Sequence, residues 1–454
     1  MSQQSDTFTR SPFLHELVYS SYQKARKNLQ GHDSVTRDIS LTKKLLHELD
    51  VTFDQWPRVT VTGSKGKGST AVFLASILAA SGETVGLITS PHLRKFNERI
   101  WINGEAVSDE ELEQSAHEIA PTVHNLVATI KPPKYLGPGG VILALAAKIF
   151  RKRGITALVV EAGRGGEYDE ARLIEADVSV ITPVMLLHVA KLGPTLHDIV
   201  RSKIAITSPG KTIVSGVQDL FVQSEIQTSA KKLQSPVLSV GKDALVKNKQ
   251  VKGHSLICDI QVENDFYKNL VIPLNGDYQT ENAATALLAA RELQRFGVKL
   301  TKEGVEKGIA QIRWPGRCQV LQKDPWILLD GAINKSSAHL LLPVIKTLPA
   351  KQITAVVSIH NPQDLEAVCA EIAKVADKLI LTEFYTTGLV WDREAFLRIA
   401  SKYCKQVISL PEMDKAFSFV SQNSKKDEGI ILLGHQTFVS EALTFWNVDT
   451  QKLW

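Results

Sequence analysis

Val59-Thr60-Val61-Thr62-Gly63-Ser64-Lys65-Gly66-Lys67-Gly68-Ser69-Thr70 is the segment around which the rest of the chain is organised. A β-branched run ends in a turn rich in glycine and lysine, and a helix-compatible stretch, Ala71 to Ala80, follows. A chain that builds a phosphate cradle does it this way, with successive backbone amides and a helix N-terminus directed at one anion. The pattern departs from G-x-x-x-x-G-K-[ST] because Gly68 separates Lys67 from Ser69. If the loop holds a nucleoside triphosphate, Gly63, Ser64, Lys65, Gly66, Lys67, Gly68, Ser69 and Thr70 surround its phosphates. Lys67 then neutralises the β/γ-phosphates, and Ser69 or Thr70 ligates Mg²⁺. The competing reading is a glycine-rich surface turn.

Outward from this loop the pattern alternates. Strands are expected at Arg58–Thr62, Thr84–Thr89, Ile155–Val160, Val178–Thr182 and Thr212–Ser215, with helices between them. Ser108-Asp109-Glu110-Glu111 opens a helix expected to reach about Ile119, and an apolar helix is expected over Val141–Arg151. Such a βαβ rhythm implies a mostly parallel sheet covered on both faces, with ligands at the carboxyl ends of its strands. Residues 237–273 break the rhythm and suggest a small antiparallel patch. Trp314-Pro315-Gly316 marks a boundary, beyond which strands and helices alternate again. The expected architecture is therefore α/β: a P-loop ATPase domain over residues 1–315, including an N-terminal helical segment, and a Rossmann-like domain over 316–454.

Composition supports a soluble enzyme of more than one domain. The 454 residues exceed what one core usually supports, and 44% hydrophobic with 22% charged residues is ordinary for a globular chain. The net charge of +5 suits an anionic ligand, but the basic residues are scattered, with no cationic tract for nucleic acid. No apolar run approaches bilayer length, and Met1–Asp6 is polar. Cys258, Cys318, Cys369 and Cys404 lack metal-ligand spacing and read as reduced core residues of a cytoplasmic protein.

A second metal site needs oxygen or imidazole ligands at neighbouring strand ends, and Ser90, Glu161 and His188 fit that placement. Each also has a bland reading: a turn serine before Pro91, a solvated strand end, a satisfied core histidine. Lys203, on the helix after His188, reads on sequence logic as a solvated lysine.

With these residues in view, Thr62-Gly63-Ser64-Lys65-Gly66-Lys67-Gly68-Ser69 resembles the T-N-G-K-G-S loop of folylpolyglutamate synthases, in the Mur ligase superfamily. Thr89-Ser90-Pro91-His92-Leu93, followed by Phe96-Asn97-Glu98-Arg99-Ile100, resembles that family's second signature. Leu274-Asn275-Gly276-Asp277-Tyr278-Gln279 with Asn282, Trp314-Pro315-Gly316-Arg317 and Asp330-Gly331-Ala332 continue the match in order. Gly434-His435-Gln436-Thr437-Phe438-Val439 is a weak echo of its last signature.

The resemblance implies an ATP-dependent ligase that forms an amide through an acyl phosphate. Lys67 and Ser69 would hold the ATP phosphates and a first Mg²⁺, with Ser90 assisting; Glu161 and His188 would hold a second Mg²⁺. Lys203 falls where the family carries a carbamylated lysine. Asn282 and Arg317 would touch the nucleotide, and Asp330 would lie near the reacting centre.

The departures fall elsewhere. P-T-x-F-E becomes Pro133-Lys134-Tyr135-Leu136-Gly137-Pro138, and G-G-R-L-D-A-T-N becomes Gly165-Gly166-Glu167-Tyr168-Asp169-Glu170-Ala171-Arg172. G-L-D-H becomes Leu186-Leu187 before His188, and D-G-A-H-N loses its histidine to Ile333. Glu167 in place of an arginine reverses a local charge. The expectation is a retained ligase whose acceptor pocket, lined by Tyr135, Glu167, Tyr168, Asp169 and Arg172, takes a carboxylated small molecule other than folate, in a specialised pathway. The alternatives are a genuine folylpolyglutamate or dihydrofolate synthase with a drifted pocket, and a nucleotide-binding partner subunit weakened in catalysis. Partners would be a small carboxylate and an amino acid, with no nucleic acid or membrane, the protein being a monomer or weak homo-oligomer.

Overall fold

The computed structural model describes residues 11–29, 31–383 and 391–454; Met1–Asp6 lies outside them. Two compact units emerge. Of the described residues, the first takes those from Ser11 to Pro273, then Tyr278–Ile312 and Gln451–Trp454; the second takes Leu274–Asp277 and Arg313–Thr450. The sequence expectation put the division between residues 315 and 316; the structural one falls at Ile312/Arg313 and exchanges two short segments.

The first unit is built on eight strands: β1 (Arg58–Thr62), β2 (Val85–Ile88), β3 (Ile100–Ile102), β4 (Glu105–Ala106), β5 (Ala157–Glu161), β6 (Val178–Ile181), β7 (Thr212–Ser215) and β8 (Val237–Ser239). Their order is β4-β3-β2-β5-β1-β6-β7-β8. The run from β2 to β8 is parallel, while β3 and β4 form an antiparallel hairpin on the β2 edge that was not anticipated. β1 lies at the centre, in register with β5 and β6, so residues after those strands open at one end of the sheet.

Helix Lys67–Ala80 is apolar on all sides, as a helix buried on all sides must be. Every residue from Ser69 to Leu78 is buried, beneath helices Tyr278–Leu293 and Lys302–Ala310 and over β1, β2 and β5. Leu158 and Val160 turn into a second core shared with Ile88, Leu143, Phe150 and Trp56. Helix Asp109–Ala128 runs well past the expected end near Ile119, continuing through Pro121 because Val123 and Leu126 keep its apolar stripe in that core. The patch expected over 237–273 is a three-stranded antiparallel sheet of β9 (Ala244–Lys252), β10 (Ser255–Val262) and β11 (Asp265–Ile272).

The second unit holds β12 (Gln319–Lys323), β13 (Trp326–Asp330), β14 (Gln352–Ser358), β15 (Lys378–Leu381), β16 (Gln406–Ser409) and β17 (Glu428–Gly434), in the order β12-β13-β17-β14-β15-β16. All pairs are parallel except β12 with β13, and Leu328, Val357, Leu379, Ile431 and Leu433 centre its core. All four cysteines are buried and free of disulfides. Among the described residues no helix is long and apolar enough to cross a membrane.

Candidate active site

The loop after β1 is shaped by two glycines in backbone conformations that L side chains rarely adopt. Gly66 has φ +84° and caps helix Lys67–Ala80, and a Cβ there would lie 2.6 Å from Asn282 Oδ1. At Gly63, φ +144°, a Cβ would lie 1.9 Å from Thr182 Oγ1. The loop's first amides are committed to its own support: Ser64 N donates to the Pro183 carbonyl at 2.9 Å, and Lys65 N at 3.3 Å. Ser64 Oγ accepts from Met185 N at 2.9 Å. The amides left available to an anion are those in the first turn of the following helix, which lack an intrahelical acceptor. Ser69 lies in that turn and Thr70 just after it, its amide donating to the Gly66 carbonyl at 2.9 Å; both residues are buried. Thr70 Oγ1 lies 3.5 Å from Asn282 Oδ1, joining the loop to helix Tyr278–Leu293.

Two lysines converge on one carbonyl. Lys67 Nζ lies 3.4 Å from the Gly63 oxygen and Lys203 Nζ donates to it at 2.7 Å. Contrary to the solvated reading, Lys203 is 2% exposed. Burial, then the Lys67 charge, lower its pKa to about 7, against an opposing pull from Asp169. A lysine so held is partly neutral near pH 7, which is the form that adds CO₂.

Ser90 and Glu161 are brought together. Ser90 follows β2 and Glu161 ends the paired strand β5, and the Ser90 amide donates to Glu161 Oε2 at 3.0 Å. His188 follows β6 in a left-handed conformation, φ +61°, at the head of helix Val189–Leu192. Although the residue is exposed, desolvation around its ring and the Arg164, Lys203 and Lys67 charges lower its pKa to about 4, so it stands as a neutral ligand-type imidazole. Among the described residues no three His, Cys, Asp or Glu side chains form a ready metal cage. A single carboxylate instead suits Mg²⁺, which keeps waters and takes phosphate oxygens for the rest of its shell.

A pocket of about 350 Å³ opens beside this pair, with Ser90 and Glu161 in its wall and Tyr19, Tyr22, Arg37, Arg99, Tyr135, Arg164 and Asp169 around it. Its charges are organised. Arg164 grips Asp33 with Nε at 3.0 Å and Nη2 at 2.6 Å, and Arg37 pairs with Glu170 and, at 3.5 Å, Asp169. Burial opposes the Arg37 charge, but Glu170, Asp169 and Asp33 outweigh it and raise its pKa. Burial lowers the pKa of Arg99, which donates from Nε to His92 Nδ1 at 2.8 Å.

The five residues expected to line one acceptor pocket are divided. Tyr135 and Asp169 line the pocket beside Glu161. Glu167, Tyr168 and Arg172 line a neighbouring one of about 530 Å³, with Lys43 and Ser208, and Arg37 borders both. The turn explains the division: Asp169 accepts from the amides of Arg164 (3.0 Å) and Ala171 (3.1 Å), while Glu167 N donates to the Ser202 carbonyl at 2.9 Å. Glu167 thus does not line the pocket beside Glu161. Arg37, Asp33 and Tyr22 escaped sequence reading because no spacing or motif marks them; Arg99 sat inside a quoted signature without a role.

Arg317 and Asp330 belong to the second unit. Asp330, at the end of β13, accepts from the Cys318 amide at 2.7 Å and so anchors the turn that displays the exposed Arg317.

Residues 61–290 match the family model of the Mur ligase middle domain. The dihydrofolate synthase/folylpolyglutamate synthase of Bacillus subtilis is 26% identical over 93% of this chain and 99% of its own length. The folylpolyglutamate synthase of Lacticaseibacillus casei is 32% identical over 71% of this chain and 76% of its own. Among solved structures, Mycobacterium tuberculosis folylpolyglutamate synthase complexed with ADP shares the fold, with a TM-score of 0.85 at 23% identity over 96% of this chain and 99% of that one. With the phosphate loop, its lysine pair and this relation in agreement, the chain belongs to the Mur ligase superfamily, in its folylpolyglutamate synthase branch, and is an ATP-dependent acid–amino-acid ligase.

Proposed function

We propose that the chain joins glutamate to the carboxylate of a folate-type acceptor, as the names of its relatives suggest. The observation that carries this reading is the pocket at Ser90 and Glu161. Tyr19, Tyr22 and Tyr135 give it aromatic lining, and Arg37 and Arg99 give it cations, a combination suited to a flat heteroaromatic acid. In the proposed reaction an acceptor carboxylate oxygen attacks the γ-phosphorus and ADP leaves. The amine of glutamate then attacks the acyl carbon, phosphate leaves, and the nitrogen loses a proton. Lys67 and the helix first turn hold the phosphates in line, so catalysis is mainly positioning and charge neutralisation. Ser69, Ser90, Glu161 and His188 are the residues that would hold Mg²⁺, which would neutralise charge on the transferred phosphoryl group. Lys203, once carbamylated by CO₂ with loss of a proton, offers an oxygen ligand in place of a cation. Asn282 and Arg317 are proposed nucleotide contacts, and Asp330 keeps Arg317 in place.

Incubation with ATP, labelled glutamate and either dihydropteroate or tetrahydrofolate tests this. The expected result is labelled amide product with ADP. Absence of product from both, in protein that still binds Mg·ADP, favours a second reading: a carboxylated acceptor of another class. One observation supports that reading. Glu170 stands where the family pattern has alanine, and its carboxylate crowds Gly137 and Gly139, where a Cβ would lie 1.9 Å and 2.9 Å from its oxygens. An acid–arginine pair thus occupies wall that a folate pocket would leave open.

A further inference from the structure

The loop Pro91–Lys95 runs on directly from Ser90, and one carboxylate shapes it. Glu98 Oε2 accepts from the amides of Leu93 at 2.7 Å and Arg94 at 2.9 Å, and Oε1 accepts from Lys95 N at 3.1 Å. Glu98 is 3% exposed, so its position matters more than that of a surface acid. It is held in turn from far along the chain. Gln451 Nε2 donates to Glu98 Oε1 at 3.1 Å, while Gln451 Oε1 accepts from Asn97 Nδ2 at 2.9 Å.

Gln451 is placed by its neighbours. Gln451–Trp454 lies along β4 as an added edge segment: Ala106 N donates to the Gln451 carbonyl at 3.0 Å, and Leu453 N to the Gly104 carbonyl at 2.8 Å. Leu453 is fully buried, and a Cβ on Gly104 would lie 2.4 Å from the Trp454 ring. Covering a sheet edge accounts for the backbone pairing and for these two apolar side chains. It does not require a half-buried side-chain amide that grips the two signature residues Asn97 and Glu98 at once. A carboxamide alone among uncharged side chains of this length donates to an acid and accepts from an amide together.

We propose that Gln451 is a positioning residue: through Glu98 it fixes the Pro91–Lys95 loop, and with it Ser90, whose amide binds Glu161. The consequence for Mg·nucleotide binding rests on the reading of Ser90 and Glu161 as the metal end of the site. Gln451→Leu removes both hydrogen bonds at similar volume; Gln451→Glu places a second carboxylate against Glu98; Leu453→Ala loosens the edge segment and leaves the carboxamide.

The test is amide hydrogen exchange of these full-length variants without nucleotide or metal, followed by calorimetric titration with Mg·ADP. Gln451→Leu and Gln451→Glu are expected to speed exchange at Leu93–Lys95 at least about tenfold and to weaken Mg·ADP several-fold, with β1 and β5 unchanged. Leu453→Ala is expected to speed exchange at Gly104–Ala106 chiefly. Loop exchange equal to wild type in Gln451→Leu would overturn the proposal, as would faster loop exchange with unchanged Mg·ADP affinity. Glu161→Gln separates the two readings: if it leaves Mg·ADP affinity unchanged, the metal assignment fails and the exchange data alone judge Gln451.

Discussion

Lys203 shows why the site was only partly legible. Its helix, Leu196–Ile204, carries Ile199, Val200 and Ile204 at core spacing, and Lys203, four residues after Ile199 and three after Val200, falls on that same face; its residue type, not its spacing, makes it read as solvated. What buries it is the loop after β1, delivered from 140 positions earlier in the chain to place the Gly63 carbonyl over its amine. Lys203→Arg keeps the charge but cannot form a carbamate, and we expect ligase activity to fall about 10²-fold or more, with folding intact by circular dichroism. Gly66→Ala should abolish measurable ADP binding, because the left-handed backbone and the Asn282 side chain both refuse a Cβ. In the second unit, His435 is held to a pKa of about 4, below its ordinary 6.5, by burial and then by His360, whose ring centre lies 4.3 Å away. Its stability contribution is complete above about pH 6.5 and is lost as pH falls toward 4, because the unfolded chain takes the proton first. His435→Gln should flatten that acid limb of a stability–pH curve, by on the order of 2 kcal/mol after allowance for partial exposure.

Elements were more legible than sites. The alternation of apolar runs and caps locates most strands of both sheets, because parallel strands buried on two faces read as continuous apolar segments. What escaped were short or tertiary features: the β3–β4 hairpin, and the extension of helix Asp109–Ala128 past Pro121. One of the two helix crossings over the phosphate loop's helix, that of Lys302–Ala310, is especially close. Gly308 lies against helix Lys67–Ala80 so closely that a Cβ would be 2.6 Å from Ile77 Cα, while Ser76 Oγ donates to the Gly308 carbonyl at 2.7 Å. Backbone cannot yield as a side-chain tip can. Gly308→Val should therefore destabilise by about 1–3 kcal/mol in urea denaturation and weaken ATP binding with it.

For the whole molecule, the ordered series of motifs carried the family, and the fold agrees with it. The acceptor did not follow from the same residues. Glu167, Tyr168 and Arg172 are adjacent to Asp169 in sequence, yet the turn capped by Asp169 sends them to a different pocket, a division that adjacency cannot reveal. In the proposed function, ATP cleavage is coupled to amide formation at the pocket walled by Ser90 and Glu161. The most direct measurement is the ratio of ADP released to labelled glutamate incorporated into tetrahydrofolate or dihydropteroate, for the wild type and for Glu161→Gln. One ADP per amide in the wild type, with both products lost together in Glu161→Gln, is the predicted result. ADP release that no folate-type acceptor stimulates, or that Glu161→Gln leaves unchanged, would contradict it.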